Sequence, residues 1–183
     1  MTADTDPTTD DQAVLLPAEP DRAHVRRATP ERVMLDAWLD WHRATQLRKC
    51  AGLTTTQLRL QSAEPSTLTL LGLVRHMAEV ERGWFHDLDG DEVEPLHSSD
   101  EDPEADFDGG ATSDASADFA IFDREVARSR EIAARHELDK TKLDRHGRDV
   151  SLRWIYLHMI EEYARHNGHA DLLRERIDGA TGD

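Results

Sequence analysis

The sequence predicts an all-α protein, a four-helix bundle with a long connection between its second and third helices. Apolar residues recur at three and four spacing in four separate segments. Each segment is bracketed by helix start and stop signals. No stretch shows a strand pattern that competes with them. Four amphipathic helices with one apolar face each are best buried against one another.

The first helix starts at Thr29-Pro30-Glu31, which offers an N-cap, a proline at the first helical position and an acid for the helix dipole. It runs to about Lys49 through Val33, Met34, Ala37, Trp38, Trp41 and Thr45, with Gly52 just beyond its end. The second has Ser66 as cap and the stripe Leu70, Leu73, Val74, Met77, Val80, Trp84, and ends near Leu88 before Asp89-Gly90. The third spans about Ser116 to His136, with Phe119, Phe122, Val126, Ser129 and Ile132 on one side. The fourth runs from Ser151 as cap to Ile177, where Asp178-Gly179 stops it. Between the second and third helices lies a connector, residues 89–115. A helix of about 22 residues is about 33 Å long at ~1.5 Å per residue, a distance this connector covers easily, so the second and third helices can run parallel.

Charge is distributed unevenly. The 183 residues carry 38 Asp and Glu against 22 Lys and Arg, a net charge of −16, which argues against nucleic acid or an anionic membrane as the main partner. Residues 83–123 hold 14 of the acids and no Lys or Arg, and residues 1–21 hold another 6. The acidic connector is therefore expected to be solvated loop and to form a mobile flap over one end or side of the bundle. Residues 1–24, polar and aperiodic, read as a disordered acidic leader, and residues 25–183 as a single metal-binding bundle domain. The N-terminus has acids where a secretory signal needs bases, and the most apolar run, Leu68 to Val74, is far short of the ~20 residues of a membrane span. The expectation is a cytoplasmic protein with no membrane partner. The single cysteine, Cys50, excludes an internal disulfide and a Cys-rich metal site, and reads as inert.

The chemistry is concentrated in the last helix. At about 100° per residue, Ile155, Met159, Tyr163, Ala170, Leu173 and Ile177 centre on one direction, His166 points nearly along it, and Glu162 lies close by. An acid and an imidazole four residues apart on a core-facing side are costly to bury without a partner. A divalent metal is one such partner, because side chains at i and i+4 converge on a single ion. His76, flanking Met77 on the inner stripe of the second helix, is the candidate third ligand. A His-Glu-His set suits zinc and leaves positions open for water or substrate, with nickel, iron and manganese as alternatives. The bland reading stays open: His158 and His169 edge the same face, so Glu162 can instead pair with His158 or be a hydrogen-bonded core acid. The remaining histidines have no such company. The four tryptophans read as core or pocket wall.

The run LLGLVRHMAEVERGW from Leu70 to Trp84 and the later run ARHNGHADLLRE from Ala164 to Glu175 resemble the actinobacterial branch of the DinB-like superfamily. The likeness is to mycothiol-dependent maleylpyruvate isomerases, in their N-terminal domain, and to mycothiol transferases. It covers about residues 28–179. It implies a bundle of up-down-down-up topology with a metal between the second and fourth helices. Motif to motif, the ligands are His76, Glu162 and His166. His169 falls where many relatives have glutamine, which suggests that it orients a ligand or bound water. Glu79, Arg75, Arg82 and Arg165 are candidates for orienting water or binding carboxylates.

The resemblance further implies a metal-activated thiol that attacks an electrophile. The chain ends shortly after the fourth helix, without the isomerase's additional domain, so the expected activity is thiol S-transfer, with mycothiol as cosubstrate and an electrophilic small molecule as acceptor. The alternatives are a non-catalytic metal-binding bundle or stress-response protein, and an interaction bundle in which Glu162 and His166 are polar core contacts. A homodimer through helix faces is compatible with the sequence.

Overall fold

The computed structural model describes residues 14–16, 18–90, 93–144 and 146–182. In chain order these contain α1 (Glu31–Cys50), α2 (Thr55–Leu58), α3 (Leu70–Phe85), α4 (Ala105–Asp108), α5 (Ala115–Ala134), the strands β1 (Thr141–Leu143) and β2 (Asp149–Ser151), and α6 (Leu152–Asp178). The protein is mostly helical, with four long helices and one small antiparallel hairpin.

Side-chain pairs between helices set their directions. Arg75 meets Asp118 and Arg82 meets Glu125, both 43 residues apart, so α3 and α5 run parallel. Glu31 meets Arg153 and His42 meets Asn167, so α1 and α6 also run parallel. Between α3 and α6 the order reverses, because Trp84 packs on Trp154 while His76 packs on His166.

The core is formed by residues such as Leu39, Leu73, Met77, Phe122, Ile155 and Met159, each almost completely buried. A polar network lies inside it. The Arg43 guanidinium donates through Nε and Nη2 to the two oxygens of Glu81, at 2.7 Å each, and the Tyr163 hydroxyl donates to Glu81 Oε1 at 2.8 Å. Ser129 Oγ donates to the Glu81 carbonyl at 3.3 Å, so all four long helices meet at this residue.

Three of the predicted helix starts shift slightly. Thr69, not Ser66, caps α3 by accepting from the Gly72 amide, while Ser66 accepts from Leu68 in the preceding turn. Asp114 caps α5, which starts at Ala115 rather than Ser116, whereas Ser151 caps α6 as expected. Pro30 occupies the N-cap of α1 in an extended conformation, which leaves Thr29 too far out to cap; its buried hydroxyl has no partner.

The buried face of α1 also differs from expectation. Val33 and Trp38 are exposed, Thr45 is buried as expected, and the buried residues are Leu35, Leu39, Arg43, Thr45, Gln46, Lys49 and Cys50. Four of those seven are polar, so hydropathy alone missed much of the buried face.

The hairpin was not anticipated, because three-residue strands are too short to show alternation. Asp144 closes its turn by accepting the amides of His146 and Arg148, and Gly147 takes the left-handed φ of +74° that the turn needs. Val150 enters the core from β2.

The acidic connector is not a free loop. The Glu79 carboxylate accepts the backbone amides of Leu96, His97 and Ser98, and Arg75 donates to the carbonyls of Ala105 and Asp106. Gly110 lies so close to α3 that a Cβ there would sit 2.3 Å from the Gly72 amide nitrogen. Residues 1–13 and 17 of the expected leader fall outside the described residues. Nearer the helices, Val14 bridges to Thr54, Leu16 accepts the Gly52 amide, and Arg22 lies over the Trp41 ring.

Two expectations follow from this packing. Arg43→Ala leaves the Glu81 carboxylate buried without its counter-charge, and urea unfolding should show a loss of about 3–5 kcal/mol; a loss below about 1 kcal/mol would mean that the pair does not hold the helices together. Burial pushes the Cys50 thiol up to about 12, against a smaller downward pull from Arg174, so the thiol stays protonated across neutral pH. The native protein should therefore resist iodoacetamide from about pH 7 to 9 and take up one label only when unfolded; native labelling at the rate of a free cysteine would refute this.

Candidate metal centre

His76 on α3 and Glu162 and His166 on α6 bring one ligand atom each within 4.8 Å of one another. The i and i+4 positions on α6 place Glu162 Oε2 3.4 Å from His166 Nε2. Metal–ligand bonds of about 2.0–2.2 Å in a tetrahedron separate neighbouring ligand atoms by about 3.3–3.5 Å, so this spacing fits an ion between them. His76 arrives from the antiparallel α3, its ring centroid 4.6 Å from that of His166.

The far nitrogens of both imidazoles have partners. His76 Nδ1 lies 2.8 Å from Asp106 Oδ2, which suits an Nδ1–H donor and leaves Nε2 with its lone pair. Asp106 is buried in the connector. Burial alone would raise its carboxyl pKa, but the hydrogen bond and charge of His76 and the amide of Phe107 outweigh that and hold it below the usual range. The Phe107 ring stacks on His76, with centroids 4.0 Å apart.

His166 Nδ1 lies 3.4 Å from His169 Nδ1. Burial, reinforced by the charges of His76, His169 and Arg165, pushes His166 down to about 3, so at neutral pH the imidazole is unprotonated, as a ligand must be. The donor set and its spacing fit a divalent ion.

The other expected residues are placed as follows. His158 Nε2 lies 3.6 Å from Glu162 Oε1, so the two Glu162 oxygens face two different histidines. His158, Glu161 and Glu162 form a second converging group, but all three sit on α6 and Glu161 is exposed. Glu79 is engaged by the connector amides rather than by the histidines. Arg75 holds Asp118 and the connector, Arg82 pairs with Glu125 and the Glu94 carbonyl, and Arg165 pairs with Glu161.

Sequence reasoning missed Asp106 and Phe107. Asp106 stands in a run of acids with no periodicity, and only the close approach of the connector at Gly72 and Gly110 selects it.

A cavity of about 630 Å³ opens beside the site. His76 and Glu162 form one end of it, Trp84, Trp154 and His158 form a wall, and Lys142, Asp144 and Arg148 line it from the hairpin.

A family model described as Mycothiol-S-transferase matches residues 34–179. The chain belongs to the mycothiol S-transferase family, within the DinB-like superfamily. The match spans every residue of the converging group and the whole connector. No curated protein matches the chain.

Metal analysis by mass spectrometry should find near-equimolar ion in the wild type and loss of it in His76→Ala, Glu162→Ala and His166→Ala. Asp106→Asn keeps the ligands but removes the acceptor behind His76, and should weaken zinc about 10- to 100-fold in competition with a chelator. Wild type that cannot be loaded with zinc or nickel would remove the basis for the site.

Proposed function

We propose that this protein is a metal-dependent S-transferase that joins the thiol of mycothiol to an electrophilic small molecule. The observation that carries the reading is the convergence of His76, Glu162 and His166 at the end of an open cavity, in a chain of the mycothiol S-transferase family. The parallel run of α3 and α5 supports a DinB-like up-down-down-up bundle as its frame.

The three side chains offer two neutral nitrogens and one anionic oxygen, a set that suits zinc, with nickel, iron and manganese as alternatives. A divalent ion held there supplies Lewis acidity, which lowers the pKa of a thiol so that thiolate is available near neutral pH. The chain's own residues prepare this. Asp106 holds His76 in one tautomer and His169 abuts the far nitrogen of His166, so both ligand rings are oriented before anything binds. Phe107 covers the His76 ring and excludes water from that side.

The same site offers a second role. An ion bridging α3 and α6 ties two helices together, and a purely structural metal would act in this way.

The test is adduct formation. Zinc-loaded protein, mycothiol and either monochlorobimane or chlorodinitrobenzene should give product at a rate that chelation abolishes and zinc restores, and Glu162→Ala should be inactive. A strong fall in melting temperature on chelation, with no turnover on mycothiol, bacillithiol or glutathione, would favour the structural role instead.

A further inference from the structure

One side of α3 carries a stripe of alternating charge, Arg75, Glu79 and Arg82, spaced by four and three residues. Each of the three grips main chain of the connector. Arg82 Nε donates to the Glu94 carbonyl at 2.7 Å. The Glu79 carboxylate accepts the amides of Leu96, His97 and Ser98 at 2.9, 2.7 and 3.3 Å, which occupies both of its oxygens. Arg75 donates to the carbonyls of Asp106 and Ala105 at 3.0 and 3.2 Å. The cations take carbonyls and the anion takes amides. The connector therefore runs back along α3, from residue 94 at Arg82 to residue 106 at Arg75, and Arg75 adjoins His76.

A continuous run of hydrogen bonds joins the Glu79 grip to the candidate metal centre. The Ser99 amide donates to the Asp102 carbonyl at 3.0 Å, and the Asp102 amide donates to Ser99 Oγ at 3.1 Å. The Glu104 carbonyl then accepts the amides of Phe107 and Asp108, which forms α4. Within α4, Asp106 Oδ1 accepts the Phe107 amide at 2.8 Å, and this leaves Oδ2 aimed at His76. Holding residues 96–98 in place thus holds Asp106 and Phe107 in place.

We infer that Glu79 is a positioning residue for the metal centre and acts through the connector, so that ion binding at His76 and docking of the connector on α3 form one coupled equilibrium. The acceptor behind His76 Nδ1 and the ring that covers His76 are both present only while the connector is docked. An ion on Nε2 makes Nδ1–H a stronger donor and so tightens the contact with Asp106. Linkage is reciprocal: the factor by which docking raises ion affinity is the factor by which the ion raises docking. A charged side chain that meets no ligand of the ion thereby sets how tightly the ion is held.

This rests on the metal centre and not on the transferase reading. Zinc affinity of the full chain is measured by competition with a chelator. Glu79→Ala should weaken zinc about tenfold. Glu79→Gln keeps one acceptor oxygen for the amides and should recover part of that loss, whereas an effect of charge alone would leave it as weak as the alanine variant. Gly110→Ala changes no charge, but its Cβ would lie 2.3 Å from the Gly72 amide nitrogen, so it should lever the connector off α3 and weaken zinc in the same way. In an Asp106→Asn background, Glu79→Ala should cost little more, because its route to His76 is already cut.

Hydrogen exchange over residues 94–108 should be about tenfold slower with zinc than without it, and Glu79→Ala should remove that dependence. Melting curves of the zinc-free variants report whether each is folded, and Gly110→Ala carries the comparison if Glu79→Ala is not. Zinc affinity indifferent to these variants, an equal loss from Glu79→Ala with and without Asp106, or connector exchange that ignores zinc overturns the coupling. Wild type that binds no zinc removes the metal centre and the coupling together. Coupling without turnover on any thiol upholds it and defeats the transferase reading alone.

Discussion

Glu81 is fully buried, its carboxylate held by the side chains of Arg43 and Tyr163 and its backbone carbonyl by that of Ser129, and the rest of the structure is arranged around it. A carboxylate in an apolar core is tolerable only with a counter-charge and saturated oxygens. Arg43 supplies the charge through a two-pronged contact and Tyr163 supplies a further donor. Because such bonds tolerate little displacement, they set how far α1 and α6 slide along α3. Tyr163 adjoins Glu162 and lies one turn from His166, and Glu81 lies little more than a turn from His76. The register that satisfies the buried acid is therefore the register that brings the two histidines and Glu162 together.

The acidic connector illustrates how a charge run becomes structure. Its backbone, not its carboxylates, makes most of the contacts: Glu79 accepts three successive amides, and Arg75 donates to two carbonyls. The absence of a side chain at Gly72 and Gly110 lets two backbones meet. One turn on from Gly72 is His76, and the connector at that level presents Asp106 and Phe107. A polar anchor and an aromatic cover for one imidazole thus follow from a glycine contact remote from the chemistry.

Local pattern made some parts of this legible and hid others for identifiable reasons. The ends of α6 were readable because Ser151 and Gly179 act through bonds within a few residues. Glu162 and His166 stood out because helical geometry relates i and i+4 without knowledge of the fold, and His76 stood out because it shares a helix stripe with Met77. The buried face of α1 was not legible, since Arg43 and Gln46 look like surface residues until a carboxylate on another helix is known to face them. The hairpin was too short to show a period. Asp106 was hidden among other acids, and its partner is 30 residues away.

By itself, then, the sequence determined the helical class, the approximate positions of the four long helices, the family motifs and the Glu162–His166 pair with His76 as its candidate partner, because each is read from spacing within one segment. Tertiary structure decided which face of α1 is buried, which acid stands behind His76, and which side chains wall the cavity. Those outcomes depend on distances between segments remote in sequence, and such distances exist only once the helices have packed around Glu81.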